Sequence, residues 1–172
     1  MKTIIAVTFL GILMCAFAEK CDLKQPVANF DSEKYFAIRK SFVTYSKNGP
    51  ETKVCREYET TKIPGGTTKT VYTIRDRANP SGVEVNCINT PINGGKGQFS
   101  VACTLPAGNK FQLTTSVVDT DHKTYVILQA CPDSGPGDIL VLQTDKNEKI
   151  PAVTNYIAQQ GGQWYSRIND RC

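Results

Sequence analysis

From Lys34 onward the chain consists of short runs rich in β-branched and aromatic residues, each closed by a cluster of Gly, Pro, Asn or Asp, and this rhythm leaves few folds open. Eight runs are legible: 34–46, 52–63, 67–75, 83–89, 98–105, 111–119, 123–131 and 138–144. The breaks carry turn chemistry, as in Asn48-Gly49-Pro50, Pro64-Gly65-Gly66, Asn79-Pro80-Ser81-Gly82, Asn93-Gly94-Gly95 and Pro106-Ala107-Gly108-Asn109. Connections this short join antiparallel neighbours, so the runs read as a meander of hairpins. After the eighth run Pro151 opens a segment in which Val153, Tyr156 and Ile157 recur at helical spacing, until Gly161-Gly162 stops it. A last extended piece, 164–172, closes the chain.

Eight antiparallel strands either split into a sandwich or close into a barrel, and length alone does not choose. Closure removes exposed edges, and an eight-stranded barrel encloses room for one small ligand. The runs also carry polar and aromatic residues such as Tyr58, Thr60, Tyr72, Thr115 and Gln129, a mixture that suits a cavity better than a dry seam. The expected fold is therefore all-β: an eight-stranded antiparallel barrel with one short C-terminal helix.

The N-terminus reads as a secretory leader, with Lys2 ahead of the apolar stretch 4–13 and the small-residue triplet Ala16-Phe17-Ala18, which places cleavage after residue 18. The stretch is too short to span a bilayer, which takes about 20 residues. Residues 19–172 then form one domain, and no membrane segment follows. Of 20 basic and 16 acidic residues only Lys2 leaves with the leader, a mild and scattered excess that gives no footprint for nucleic acid. Six of the seven cysteines stay in the mature chain, Cys21, Cys55, Cys87, Cys103, Cys131 and Cys172, an even number for an oxidising compartment. Three disulfides are expected, although spacing permits about 15 pairings. With no C-x-x-C pair and His122 as the single histidine, neither a zinc site nor a haem ligand is indicated, and no cofactor is expected.

Several local motifs carry a resemblance to a known family. They are Cys21-Asp22 with Pro26, Asn29-Phe30-Asp31 ahead of Tyr35-Phe36, Ser46-Lys47-Asn48-Gly49-Pro50, and Val54-Cys55-Arg56-Glu57-Tyr58, together with the six-cysteine layout. In these the chain resembles the lipocalins, and within them the salivary lipocalins of blood-feeding triatomine bugs, the triabin and pallidipin type, over almost all of the mature chain. It departs from general lipocalins where their G-x-W motif stands, having Glu33-Lys34-Tyr35 instead. The resemblance implies a secreted salivary protein, a monomer, that opposes host haemostasis by holding a small apolar or amphipathic mediator and inhibiting platelet aggregation. It also implies the pairs Cys21 with Cys131, Cys55 with Cys172, and Cys87 with Cys103. The last pair follows from position as well, because both residues lie on hairpin strands flanking Asn93-Gly94-Gly95.

If Cys55 reaches the C-terminus it points out of the barrel, and alternation then sends Glu57 and Glu59 outward and Val54, Arg56, Tyr58 and Thr60 inward. If Tyr35 stands in for the floor tryptophan of other lipocalins, the same count turns Ala37 and Arg39 inward. An inward arginine in an apolar cup suits a carboxylated lipid such as a thromboxane or prostaglandin. The expected ligand-binding residues are Arg39 or Arg56 on the carboxylate, with Tyr58, Tyr72 and Gln129 on the rest. Both arginines could equally sit at the rim in water.

Beside an allergen-like salivary lipocalin with little specific ligand, two rival functions stay open. One is a protein-surface inhibitor of thrombin or of collagen-induced platelet activation, acting on a host haemostatic protein through the barrel loops. The other is a biogenic-amine binder using Glu84 or Asp119. Catalysis is not expected, since His122 sits in the turn Asp119-Thr120-Asp121-His122, where it reads as a solvated turn residue, and no paired carboxylates form an acid–base constellation. The glycines at 65, 66, 94 and 95 lie in hairpin turns with no helix after them and make no phosphate loop.

Overall fold

The computed structural model describes residues 21–49, 54–64 and 66–168. The expected leader and Cys172 lie outside them. Eight strands follow one another as β1 (Lys40–Ser46), β2 (Cys55–Lys62), β3 (Thr68–Arg75), β4 (Val83–Ile92), β5 (Gln98–Thr104), β6 (Lys110–Thr120), β7 (Tyr125–Pro132) and β8 (Asp138–Gln143). Each pairs antiparallel with the next, and β1 pairs with both β8 and β2, so the sheet closes into the expected barrel. The β1–β2 seam is short, running from Lys40 opposite Glu59 to Phe42 opposite Glu57. Beyond a bulge between Val43 and Tyr45, the same edge of β1 is taken up by β9 (Tyr165–Ser166).

One expected element changes type. The first run does not begin as strand at residue 34, because Ser32–Tyr35 form a short helix, α1. Asp31 sets it: its Oδ1 accepts from the Glu33 and Lys34 amides at 3.0 and 3.1 Å, an N-cap that turns the chain before β1 can start. The C-terminal helix, α2 (Pro151–Gln160), lies where Pro151 and Gly161 bracket it.

Two apolar cores result. One fills part of the barrel and is built from Val43, Val85, Phe99, Val101, Val117, Val126, Leu128, Leu140 and Leu142. The other lies outside the barrel, where Val153, Tyr156 and Ile157 of α2 cover Tyr125, Ile127, Ile139 and Val141. The segment ahead of α1 crosses one end of the barrel. Val27 donates its amide to Val117 O at 2.9 Å, and Phe30 packs so close to Gly97 that a Cβ there would meet its ring at 3.1 Å. Disulfides tie the structure at Cys21–Cys131, with Cα atoms 5.4 Å apart, and at Cys87–Cys103, directly opposite each other on β4 and β5 at 4.0 Å. Cys55 is buried and disulfide-bonded.

Candidate functional site

The barrel encloses a cavity of about 240 Å³. Its floor is aromatic. Tyr35 stacks on Phe99 at 6.0 Å between ring centres, and Phe36 meets both edge-on at 4.8 and 5.4 Å. Phe30 supports this cluster from below, and His122 supports Phe30. His122 is thus a half-buried brace and not a solvated turn residue. Its Nε2 accepts the Asp31 amide at 3.0 Å, which pins the start of α1 to the β6–β7 turn.

The two sides of the cavity differ in chemistry. On β2, β3 and β4 most of the side chains that line the cavity are polar. Tyr58 and Tyr72 stack nearly parallel at 5.1 Å, the Thr60 and Thr70 hydroxyls share a hydrogen bond at 3.0 Å, and Asn89 Nδ2 donates to Thr70 Oγ1 at 2.8 Å. Across from them stand Val126, Leu128, Leu140 and Leu142. Burial raises the pKa of Tyr35, Tyr58 and Tyr72, the last to about 12, so at neutral pH all three phenols are uncharged donors.

The mouth holds the cavity's charge. Arg56 reaches in from the start of β2, and its positive charge pulls against the burial that raises the Tyr58 phenol. Its Nε is buried and has no hydrogen-bond partner among the described residues. A buried guanidinium N–H in that condition is a donor held ready for an acceptor. Asp138, at the start of β8, lines the same mouth, but its carboxylate is already engaged. Oδ2 accepts from the Ser46 hydroxyl at 2.6 Å, and Oδ1 accepts from the Lys47 and Asn48 amides at 3.1 and 2.8 Å. The Ser46-Lys47-Asn48-Gly49 motif is therefore a loop wrapped around Asp138.

Of the five expected ligand contacts, Arg56, Tyr58 and Tyr72 line the cavity, with Arg56, Tyr58 and Thr60 inward and Glu57 outward as alternation on β2 requires. Arg39 does not belong to it. The α1 helix breaks the two-residue period between Tyr35 and β1, so Ile38 faces the cavity while Ala37 and Arg39 are exposed. Gln129 is buried, but on the outer face of β7. Its Nε2 donates to Asp22 O at 2.9 Å and its Oε1 accepts the Lys24 amide at 2.6 Å, so it clamps the N-terminal segment. The acids expected to serve an amine are elsewhere as well. Glu84 is exposed, and Asp119 accepts from the Tyr125 hydroxyl at 3.3 Å outside the cavity. Sequence reasoning missed Asp138, which opens a strand run with no polar–apolar alternation to place it. It also missed Asn89 and Ser41, which carried no signal beyond their strands.

The family model described as Triabin matches residues 14–156. "Platelet inhibitor triplatin-2" of Triatoma infestans is 52% identical, over the full length of both chains. "Pallidipin" of Meccus pallidipennis is 47% identical, covering all of this chain and 98% of its own. Among solved structures, a mutant of the protein LTBP1 in complex with leukotriene C4 superposes with a TM-score of 0.67 at 19% identity, covering 88% of this chain and 96% of that one. The tryptamine complex of the amine-binding protein of Rhodnius prolixus superposes with a TM-score of 0.67 at 20% identity, covering 81% and 78%. These two share the barrel; at such identities they speak for the fold alone.

Proposed function

Since this chain belongs to the Triabin family, we propose that it is a secreted salivary protein that inhibits platelet aggregation by sequestering a carboxylated, oxygenated lipid mediator in its barrel. It works by binding and not by catalysis, as a monomer, after removal of a leader at residues 1–18. A full-length relative named as a platelet inhibitor supports the physiological part. The chemical part rests on one observation: the buried, unpartnered Nε of Arg56 at the mouth of a cavity that is apolar on one side and lined with hydroxyls on the other.

The arrangement suits an eicosanoid such as a thromboxane or prostaglandin. Its carboxylate takes the guanidinium donors of Arg56, its hydrocarbon chain lies against Leu128, Leu140 and Leu142, and its ring oxygens meet the Tyr58 and Tyr72 phenols and the Thr60–Thr70 pair. Binding of a mediator present at low concentration inhibits by mass action and needs no chemistry on the ligand.

The test is calorimetry on the solvent-extracted protein with a stable thromboxane-type acid. Binding that weakens by at least about 1 kcal/mol in Arg56→Ala, with Arg39→Ala unchanged, supports the reading. Absence of heat in the wild-type protein refutes it, and clotting assays with thrombin and aggregation assays with collagen then test action through the barrel loops.

A further inference from the structure

Most of the polar side chains that line the cavity have a proton to give. Arg56 is a donor alone, and the tyrosine, serine and threonine hydroxyls each carry a hydrogen of their own. The acceptors are Asp138 and Asn89. Asp138 stands at the mouth, where the Ser46 hydroxyl and the Lys47 and Asn48 amides already occupy its carboxylate. Asn89 stands at the far end of the polar wall. It lies opposite Thr68, while Arg56 lies opposite Ile74, six positions further along β3. At about 3.3 Å per residue the two levels are about 20 Å apart along the strand.

The orientation of the Asn89 amide is fixed by what surrounds it. Cys87, two residues earlier on the same face, is bridged to Cys103, which holds β4 against β5 at this point. On the other edge, Asn89 Nδ2 donates to Thr70 Oγ1 at 2.8 Å and to Thr68 Oγ1 at 3.0 Å, so both of its hydrogens are committed to β3 hydroxyls. The same nitrogen lies 3.4 Å from Thr68 O. A backbone carbonyl can only accept, so the nitrogen belongs on the β3 side and Oδ1 points away from it. Oδ1 takes no donor from the described residues and is not sealed from accessible space. It is an acceptor without a proton, in a residue that lines the cavity.

We infer, resting on the function proposed above for the carboxylate end, that Asn89 is the specificity-determining residue at the deep end of the cavity: its Oδ1 accepts a hydroxyl hydrogen from the distal part of the lipid. The barrel thereby selects a long-chain acid with a hydroxyl far from its carboxylate. A ketone or ether oxygen at that place would meet Oδ1 lone pair to lone pair, and plain hydrocarbon would leave the acceptor without a partner. Thr68 and Thr70 hold the amide in the orientation this requires.

The test is calorimetry on the solvent-extracted full chain with four acids of one skeleton: a stable thromboxane-type acid bearing a hydroxyl on its hydrocarbon chain, and its deoxy, keto and methyl-ether analogues at that carbon. Wild type is expected to bind the hydroxy acid at least about tenfold more tightly than each of the others, and a smaller margin overturns the inference. In Asn89→Ala the margin is expected to fall below about threefold, through a loss on the hydroxy acid alone. A folded variant that weakens all four acids alike, or keeps a larger margin, overturns the inference, since a merely structural asparagine would act in that way. If Asn89→Ala does not fold, Asn89→Ser decides. Its hydroxyl donates as well as accepts, so the keto acid must come within about threefold of the hydroxy acid, and a larger gap overturns the inference. Equal binding of the hydroxy and deoxy acids, weakened by Arg56→Ala, leaves the proposed function standing and sinks the role of Asn89. If wild type binds none of the acids, the proposed function falls, and Asn89 is read with neutral probes, the methyl esters of the hydroxy and deoxy acids. The same margin must appear in wild type and vanish in the variant, and any other pattern overturns the inference.

Discussion

The β2–β3 wall and the β7–β8 wall belong to one barrel, yet they obey different sequence rules. On β2 one face meets the cavity and the other meets water, so Arg56, Tyr58 and Thr60 alternate with Glu57, Glu59 and Thr61. On β7 and β8 both faces are covered, by the cavity on one side and by α2 on the other. Tyr125 to Gln129 and Ile139 to Gln143 are accordingly buried without interruption. The first wall holds the polar groups that recognise a ligand, and the second holds most of the apolar area that keeps the barrel shut. The two tasks are separated in space, so substitutions should separate them as well.

The largest effect is expected where β7 meets α2. Ile127 is fully buried there, and Ile127→Ala should cost about 2–5 kcal/mol of stability in urea melts while lipid affinity, measured where the variant remains folded, stays near wild type. A loss of affinity with no loss of stability would reverse the assignment of tasks. On the other wall Arg56→Ala should do the opposite, lowering affinity by at least about 1 kcal/mol with little change in the melting midpoint.

A pH scan sharpens the contrast. Burial, and then the charge of Tyr58, push the Tyr72 phenol up to about 12, with Arg56 pulling weakly the other way. A folded-state value raised above the unfolded one near 10 means the folded protein keeps its proton longer. The contribution is therefore complete below about pH 10 and is lost as the pH rises toward about 12. Tyr72→Phe should flatten that alkaline loss in stability measured by fluorescence, and an unchanged slope would place the phenol in water.

The smallest effect belongs to the outer face of β2, where Glu57 bridges Lys40 and Arg75 across neighbouring strands. The hydrogen bond from Lys40 leads the causes that hold its carboxyl below the usual value, with burial opposing. A depressed value contributes stability above the unfolded pKa and loses it as pH falls through the folded one. Glu57→Gln should cost less than about 1 kcal/mol at neutral pH and soften the acid limb of the stability curve. A larger penalty would show that the short β1–β2 seam depends on charge more than on its ladder.

Strand positions, the α2 boundaries and the Cys87–Cys103 pair were all legible, because turn residues and period-two patterns are local properties of the chain. The inward set on β2 was legible for the same reason. Arg39 was misplaced because an Asp31-capped turn intervened and reset the period. Gln129 was misplaced because a strand buried on both sides shows no alternation from which to tell cavity from exterior.

What the sequence determined by itself is a run of eight hairpin-linked strands with the Cys87–Cys103 bridge and one polar inner wall, since each of these follows from residues close together in the chain. What only the tertiary structure decided is which groups meet at the mouth. Ser46, Asp138 and Arg167 are separated by up to 121 residues, and Coulomb and hydrogen-bond energies depend on distance in space, which chain closure alone establishes.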